Sequence, residues 1–303
     1  MKPIAIAIAD LHLSLLQPVC RADKDWMGVQ AHYLKQVRDL SHSLNRIQPL
    51  PVLCAGDIFD RWNAPPELIN FALEHLPNGM LCVPGQHDLP MHRMEEMHRC
   101  GYGVLKRVGK IHDISGRVEG WEGAYVHGFG WGQRILPFDG KGGYLHIALI
   151  HEYCWVKDKS YPGAPEGCHL STFTSSLAGY DVAVFGDNHK GFLADLVESE
   201  TKVINCGGLI RRKSDEIDYQ PKVGILYDDG SVQRHRLDTS IDKFHEDAAE
   251  RKEVPLNMAE FIEGLEALGE HGLNFREAVE NHLRTEEVEE RTKEIILRAL
   301  EQT

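Results

Sequence analysis

Apolar residues arrive in short unbroken runs, and each run stops at a polar cluster. Residues 4–9 read Ile-Ala-Ile-Ala-Ile-Ala and halt at Asp10. Such a continuous run predicts a strand buried on both faces. Residues 51–55 and 80–83 repeat the pattern. Between them, Val29, Tyr33, Leu34, Val37, Leu40, Leu44 and Ile47 fall at helical spacing over 29–47. Pro65 and Pro66 open a second helix over 67–76, where a helix start tolerates proline. A short helix is expected over 91–100. This alternation predicts a layered α/β sheet. Strands follow over 104–108, 124–129, 145–150, 182–185 and 202–205. Residues 222–227 and 231–237 form a hairpin about Asp228-Asp229-Gly230. The order fits two sheets packed face to face and flanked by helices.

The character changes near residue 242. Phe261, Ile262, Leu265 and Leu268 make one apolar helical stripe, Phe275, Ala278, Val279 and Leu283 a second, and residues 295–300 a third. The expected organisation is a catalytic domain over 1–240 and a helical C-terminal appendage over 241–303. Its stripes serve either packing on their own core or docking of a partner.

With 303 residues and 42% hydrophobic content, the chain can bury one large core or two modest ones. No apolar run reaches the roughly 18 residues of a membrane span. Asp10 ends the first run too early for a signal peptide. The seven cysteines form no Cys-x-x-Cys pair and most sit in apolar segments, as reduced core cysteines do. A cytoplasmic protein is expected, and nothing argues against a homo-oligomer. The net charge of −13 argues at first against a nucleic-acid partner. Residues 241–303 hold 17 acidic and 8 basic residues, however, so most of the excess lies in the tail. The remainder could face a phosphate backbone.

The polar clusters that end the runs are Asp10-Leu11-His12, Gly56-Asp57-Ile58-Phe59-Asp60-Arg61, Gly85-Gln86-His87-Asp88, His151 and Gly186-Asp187-Asn188-His189. Singly, each is weak. A Gly-Asp pair is usually a turn, and a lone histidine is usually a hydrogen-bonded core residue. Jointly, five clusters directly after strands place carboxylates and imidazoles where loops converge at a sheet's carboxyl edge. Mixed Asp/His ligands suit manganese, iron, zinc or cobalt better than calcium. Two such ions clamp phosphoryl oxygens and lower the pKa of a shared water.

In that order and spacing, the clusters over about residues 4–235 resemble the calcineurin-like metallophosphoesterase superfamily. The resemblance implies a four-layer αββα sandwich with a dinuclear metal centre at the strand ends. It implies that Asp10, His12, Asp57 and His189 hold one ion, and that Asp57, Gln86, His151 and Asp187 hold the other, with Asp57 as the bridge. It further implies that His87 protonates the leaving oxygen, oriented by Asp60, and that Arg61 helps hold the phosphate. Gln86 and Asp187 stand where the family usually has Asn and His. Both changes make the second site harder and more negative, favouring Mn2+ or Mg2+ over Zn2+, with Fe2+ also within range. The rival reading is a second site that stays weak or empty.

The segment from Asn205 to Arg212 and the strand after it look most like the DNA-repair exonuclease branch (SbcD type). The expected substrate is then DNA, cleaved by a metal-dependent phosphodiesterase. The basic knot Arg211-Arg212-Lys213 could contact a backbone. Trp131 and the mixed aromatic and cationic stretch Tyr153, Trp155, Lys157, Lys159 and Tyr161 could grip unpaired bases. The resemblance also implies a coiled-coil ATPase partner docked through the C-terminal helices, and this chain has no Gly-x-x-x-x-Gly-Lys-Ser/Thr loop of its own. The alternatives are a phosphodiesterase or phosphatase for small nucleotides or phosphoproteins, and a scaffold that has lost catalysis.

Overall fold

The computed structural model describes residues 1–248 apart from 46, 122, 140, 141, 158, 162 and 163. The expected helical appendage therefore lies almost wholly outside the described residues. The elements are β1 (Pro3–Ile8), α1 (Trp26–Leu44), β2 (Val52–Cys54), α2 (Pro66–His75), β3 (Met80–Cys82), α3 (Gly101–Arg107), β4 (Ile111–Asp113), β5 (Val118–Trp121), β6 (Ala124–Phe129), β7 (Leu145–Ile150), β8 (Val182–Phe185), β9 (Phe192–Leu196), β10 (Thr201–Asn205), β11 (Lys222–Tyr227) and β12 (Val232–Arg236). They form two six-stranded sheets, ordered β12-β11-β1-β2-β3-β4 and β5-β6-β7-β8-β10-β9. Both are mixed. β1 to β4 run parallel, as do β6, β7, β8 and β10, while β5, β9, β11 and β12 are antiparallel to their neighbours.

The period-two alternation of β1 sets the layers. Ile6 and Ile8 face α1 and α2, in one core with Tyr33, Val37, Leu68 and Ala72. Ala5, Ala7 and Ala9 face the other sheet and pack with Val126, Leu149 and Val184. Small residues on that side let the sheets approach. The outer face of the second sheet, with Ala148, Ile150 and Phe185, is covered by Leu170, Phe173 and Leu177. Leu170 and Phe173 belong to a 3-10 turn. Among the described residues, the expected fourth helical layer is thus built from turns, and all three α-helices lie on the first sheet.

Two local expectations need correction. Residues 91–100 form 3-10 turns rather than a helix, and the helix comes next, as α3. The run over 104–108, read as a strand, belongs to α3 and its end. Its β-branched Val104 and Val108 are 39% and 58% exposed, while Tyr102 and Leu105 are fully buried. Anchorage by Tyr102 and Leu105 overrides the strand preference of the valines. Residues 241–248 stay attached to the catalytic unit. Asp242 accepts hydrogen bonds from Arg21 Nη2 (3.1 Å), Tyr33 Oη (2.8 Å) and Arg211 Nε (2.7 Å). The Arg21 guanidinium lies between the Trp26 and Phe244 rings.

On β6 and β7, His127 Nε2 and His146 Nδ1 meet at 3.1 Å, packed against Phe138, Tyr180 and Tyr125. Burial and then His146 lower the His127 pKa from 6.5 to about 4. A depressed folded-state value means its stabilising contribution is complete above 6.5 and is lost as pH falls towards 4. Wild-type Tm should therefore drop further between pH 7 and pH 5 than that of His127→Leu, read by thermal melts. Equal drops would show that this pair does not sense pH.

Candidate metal centre

All five motif loops leave the carboxyl ends of parallel strands at one rim. Asp10 and His12 follow β1, Asp57 follows β2, Gln86 and His87 follow β3, His151 follows β7, and Asp187 and His189 follow β8. The loops are stitched to each other by main-chain bonds, with Asp10 N–H to Gly56 O (3.1 Å) and His12 N–H to Asp57 O (2.9 Å). Asp10, His12, Asp57 and Asp187 all take positive φ, at 51°, 44°, 53° and 70°. Non-glycine residues hold this conformation only where their surroundings impose it, and such residues cluster at functional sites. Glycine is required next to them for room. A Cβ at Gly85 would strike Asp57 Oδ1, and one at Gly56 would strike His151 Nδ1.

Three overlapping groups of ligand atoms, each within 4.8 Å, assemble here: Asp10 with His12 and His189, His12 with Asp57 and His87, and Asp10 with Asp57 and His151. Asp57 Oδ1 accepts the His87 backbone N–H (3.0 Å). Its Oδ2 lies 3.6 Å from both His12 Nε2 and His151 Nε2. Asp10 Oδ1 accepts the Asp187 N–H (2.9 Å). The second oxygens of both carboxylates are buried without a hydrogen-bond partner. Two such orphaned oxygens in one dry site are costly unless a cation meets them.

The imidazoles fit a cation as well. His151 Nδ1 donates to Ala55 O (2.5 Å), since a carbonyl can only accept. In the neutral ring this leaves the Nε2 lone pair facing Gln86 Oε1 at 2.6 Å. His12 Nε2 and His189 Nε2 approach to 3.1 Å, while His189 Nδ1 points to Glu216 Oε1 at 3.6 Å. A divalent ion removes the conflict of facing lone pairs. Burial, reinforced by Asp88 and Asp10, pushes the Asp57 carboxyl well above the ordinary range. Burial also raises Asp10, against His189 and His151. Burial, with His189 and Arg212, keeps His12 well below the usual imidazole range. The donor set is therefore chemically suited to the dinuclear site typical of such clusters.

The remaining expected residues sort differently. The Gln86 Nε2 donates to Asp187 Oδ1 (2.7 Å), so Asp187 stands behind Gln86 and belongs to none of the three groups. His87 is exposed at the rim, and its Nδ1 donates to the main-chain carbonyl of Asp60 (2.8 Å). Asp60 thus orients His87 through its backbone, not its carboxylate. That carboxylate accepts from Arg212 Nη1 (2.7 Å). Arg61 is exposed and has no side-chain hydrogen bond or ion pair among the described residues. Arg212, bonded to Asp60, has a buried Nε–H that lacks a hydrogen-bond partner.

Two supports escaped the sequence reading. Fully buried Asp88 accepts from the N–H groups of Ile58, Phe59 and Gly85 at 3.1–3.3 Å, clamping the second and third loops together. Glu216 accepts from the N–H groups of Arg212 (2.6 Å) and Lys213 (3.1 Å) and faces His189. Asp88 lay inside a quoted motif, whereas nothing near Glu216 in the sequence marked it.

Comparison with known proteins finds no match among curated ones. Among solved structures, similar chains include the protein TT1561 of Thermus thermophilus (12% identity, TM-score 0.44, covering 78% of this chain and 99% of that one). Others are a putative 5'-nucleotidase from Staphylococcus aureus (10%, 0.45, covering 81% and 56%) and a 5'-nucleotidase precursor, again from Thermus thermophilus (13%, 0.44, covering 87% and 59%). The chain thus spans little more than half the length of the two nucleotidases. The profile of calcineurin-like phosphoesterases matches residues 5–191, from β1 through the loop after β8. That span contains every motif residue gathered at the rim, and the chain belongs to the calcineurin-like phosphoesterase family.

Proposed function

We propose that the protein hydrolyses phosphate esters of small molecules, with nucleotides as the favoured class, using a pair of divalent ions. The observation that carries this is the bare Asp57 Oδ2 between His12 and His151. Asp10, His12, Asp57 and His189 would hold one ion, and Asp57, His151 and Gln86, backed by Asp187, the other. The hard oxygen donors Gln86 and Asp187 favour Mn2+ or Mg2+. When bound, the ions supply positive charge for the phosphoryl oxygens and an activated water.

The chain's own residues do the rest. Because the His87 Nδ1–H is committed to the Asp60 carbonyl, the proton for the leaving oxygen must come from Nε2, so His87 acts in its imidazolium form. Asp60 fixes the Arg212 guanidinium, whose exposed part would meet a phosphoryl oxygen. Arg212→Met should then lower kcat/KM about 10- to 100-fold, as expected for a charged hydrogen bond. Arg61→Met should change it less than threefold. Equal losses in steady-state kinetics would return the phosphate role to Arg61.

The small-molecule reading draws support from what became of the basic knot. Arg211 is tied to Asp242 and Arg212 to Asp60, so neither is a loose contact for a polymer backbone. One observation favours nucleic acid as the second reading. Arg234 and Arg236 share a face of edge strand β12 with Lys222, which pairs with Arg236 across the ladder. None of the three has an anionic partner among the described residues. An ATPase partner would involve residues outside those described.

The test is hydrolysis by the full chain with Mn2+, against a chelated control. Substrates are p-nitrophenyl phosphate, bis(p-nitrophenyl) phosphate, single-stranded DNA and duplex DNA. Metal-dependent cleavage of small esters is expected. DNA cleavage without small-ester turnover would favour the second reading. Silence on all, with His87→Asn identical to wild type, would point to a scaffold.

A further inference from the structure

His151 has a second role, as one wall of a cavity of about 540 Å³. This lies within the usual range for small-molecule sites. Trp131, Gln133, Arg134, Glu152 and Ser176 line it beside His151. The Trp131 indole meets the His151 ring edge to face at 6.3 Å, and its backbone N–H is held by Pro84 O (3.0 Å). A fixed aromatic surface therefore adjoins the metal rim. Glu152 follows His151 directly and is half-buried. Its carboxylate has no hydrogen-bond or ion-pair partner among the described residues, and neither does Arg134. The two opposite charges share one cavity without pairing. Gln133 Oε1 is used by the Gly130 N–H (2.8 Å), which leaves the amide NH2 free to donate.

A half-buried carboxylate with no protein donor is open to the donors an occupant brings. Hydroxyl groups would do so, whereas a second phosphate would be repelled. A flat ring would gain from the indole surface. Acceptor atoms on that ring would meet the Gln133 amide and Arg134. We propose that this cavity takes the nucleoside part of a nucleoside monophosphate whose phosphate lies at the Asp10, Asp57 and His151 rim. Trp131 stacks the base, and Glu152 accepts from the sugar hydroxyls. The assignment rests on the phosphoesterase reading and names its substrate class. In the reaction, water oxygen forms the new bond to phosphorus and the sugar–oxygen bond to phosphorus breaks. His87 supplies the proton to the departing sugar oxygen, giving nucleoside and orthophosphate.

Two measurements on the full chain with Mn2+ test this. The first is kcat/KM for nucleoside monophosphates, ribose 5-phosphate and p-nitrophenyl phosphate. The second is binding of free adenosine and guanosine by calorimetry, which needs no turnover. Nucleotides should exceed ribose 5-phosphate by about tenfold or more, the worth of one base stack. Trp131→Ala and Glu152→Gln should each weaken nucleoside binding about tenfold, with metal content at the wild-type level. Trp131→Phe, which keeps a ring, should retain most of it. Should either alanine or glutamine variant lose metal, Arg134→Ala, at an exposed position, carries the test through the same binding assay. Nucleoside binding unchanged in Trp131→Ala, or ribose 5-phosphate turned over as well as nucleotides, would overturn the cavity assignment and leave the phosphoesterase standing. Loss of all ester hydrolysis with nucleoside binding intact would do the reverse.

Discussion

An Asp57→Asn variant should lose both metal ions at once. The Asp57 Oδ1 is taken by the His87 N–H, and Oδ2 alone faces His12 and His151, each at 3.6 Å. An amide in that place would present either a neutral oxygen or a repelling NH2 group. The charge shared by both sites would disappear. Asp10 could not compensate, since its Oδ1 is bonded to the Asp187 N–H. Elemental analysis after Mn2+ loading and dialysis should fall from two ions per chain towards none. Hydrolysis should fall by about 10³-fold or more, because several kcal/mol of charge stabilisation go with the ions. Circular dichroism should stay native, as the surrounding core is apolar and intact. Normal metal content in this variant would refute the bridge. A wild-type protein that binds one ion per chain under Mn2+ excess would instead show that Gln86 and Asp187 have weakened the second site.

His87→Asn should separate chemistry from metal binding. His87 lies in a group with His12 and Asp57, yet it is exposed at the rim, and its ring hydrogen-bonds the Asp60 carbonyl. Its loss would remove the proposed proton donor and leave Asp10, Asp57, His151 and His189 in place. Turnover should fall about 10²- to 10⁴-fold with little change in metal content. The loss should be smaller for p-nitrophenyl phosphate than for an alkyl ester, because nitrophenolate leaves without a proton. Equal losses for both esters would argue that His87 acts on the phosphate rather than on the leaving oxygen. Release of metal from the variant would show that it is a ligand.

Much of the site was legible because each motif follows its own strand. An apolar run announces the strand, and the next residues must stand at its carboxyl edge. Asp10, His12, Asp57, Gln86, His151 and His189 could be placed in this way, and the two-sheet architecture came from the same runs. Helix boundaries were less legible. Asp25 accepts from the Gly28 N–H and starts α1 at Trp26, three residues before the apolar stripe. The valines around α3 mimicked a strand because their exposure cannot be seen from local order.

By itself, the sequence determined the ligand types, their strand-end positions and hence the family, since these follow from local periodicity. Only the tertiary structure decided which groups act across long separations. Arg212 lies 152 positions from Asp60, yet its guanidinium, and not that of neighbouring Arg61, bonds the Asp60 carboxylate. Glu216 faces His189, Asp88 clamps two loops, and the Asp60 carbonyl rather than its carboxylate bonds the His87 ring. Each depends on where folded strands bring distant side chains, and hydrogen bonding is directional over about 3 Å. No spacing along a chain encodes that distance.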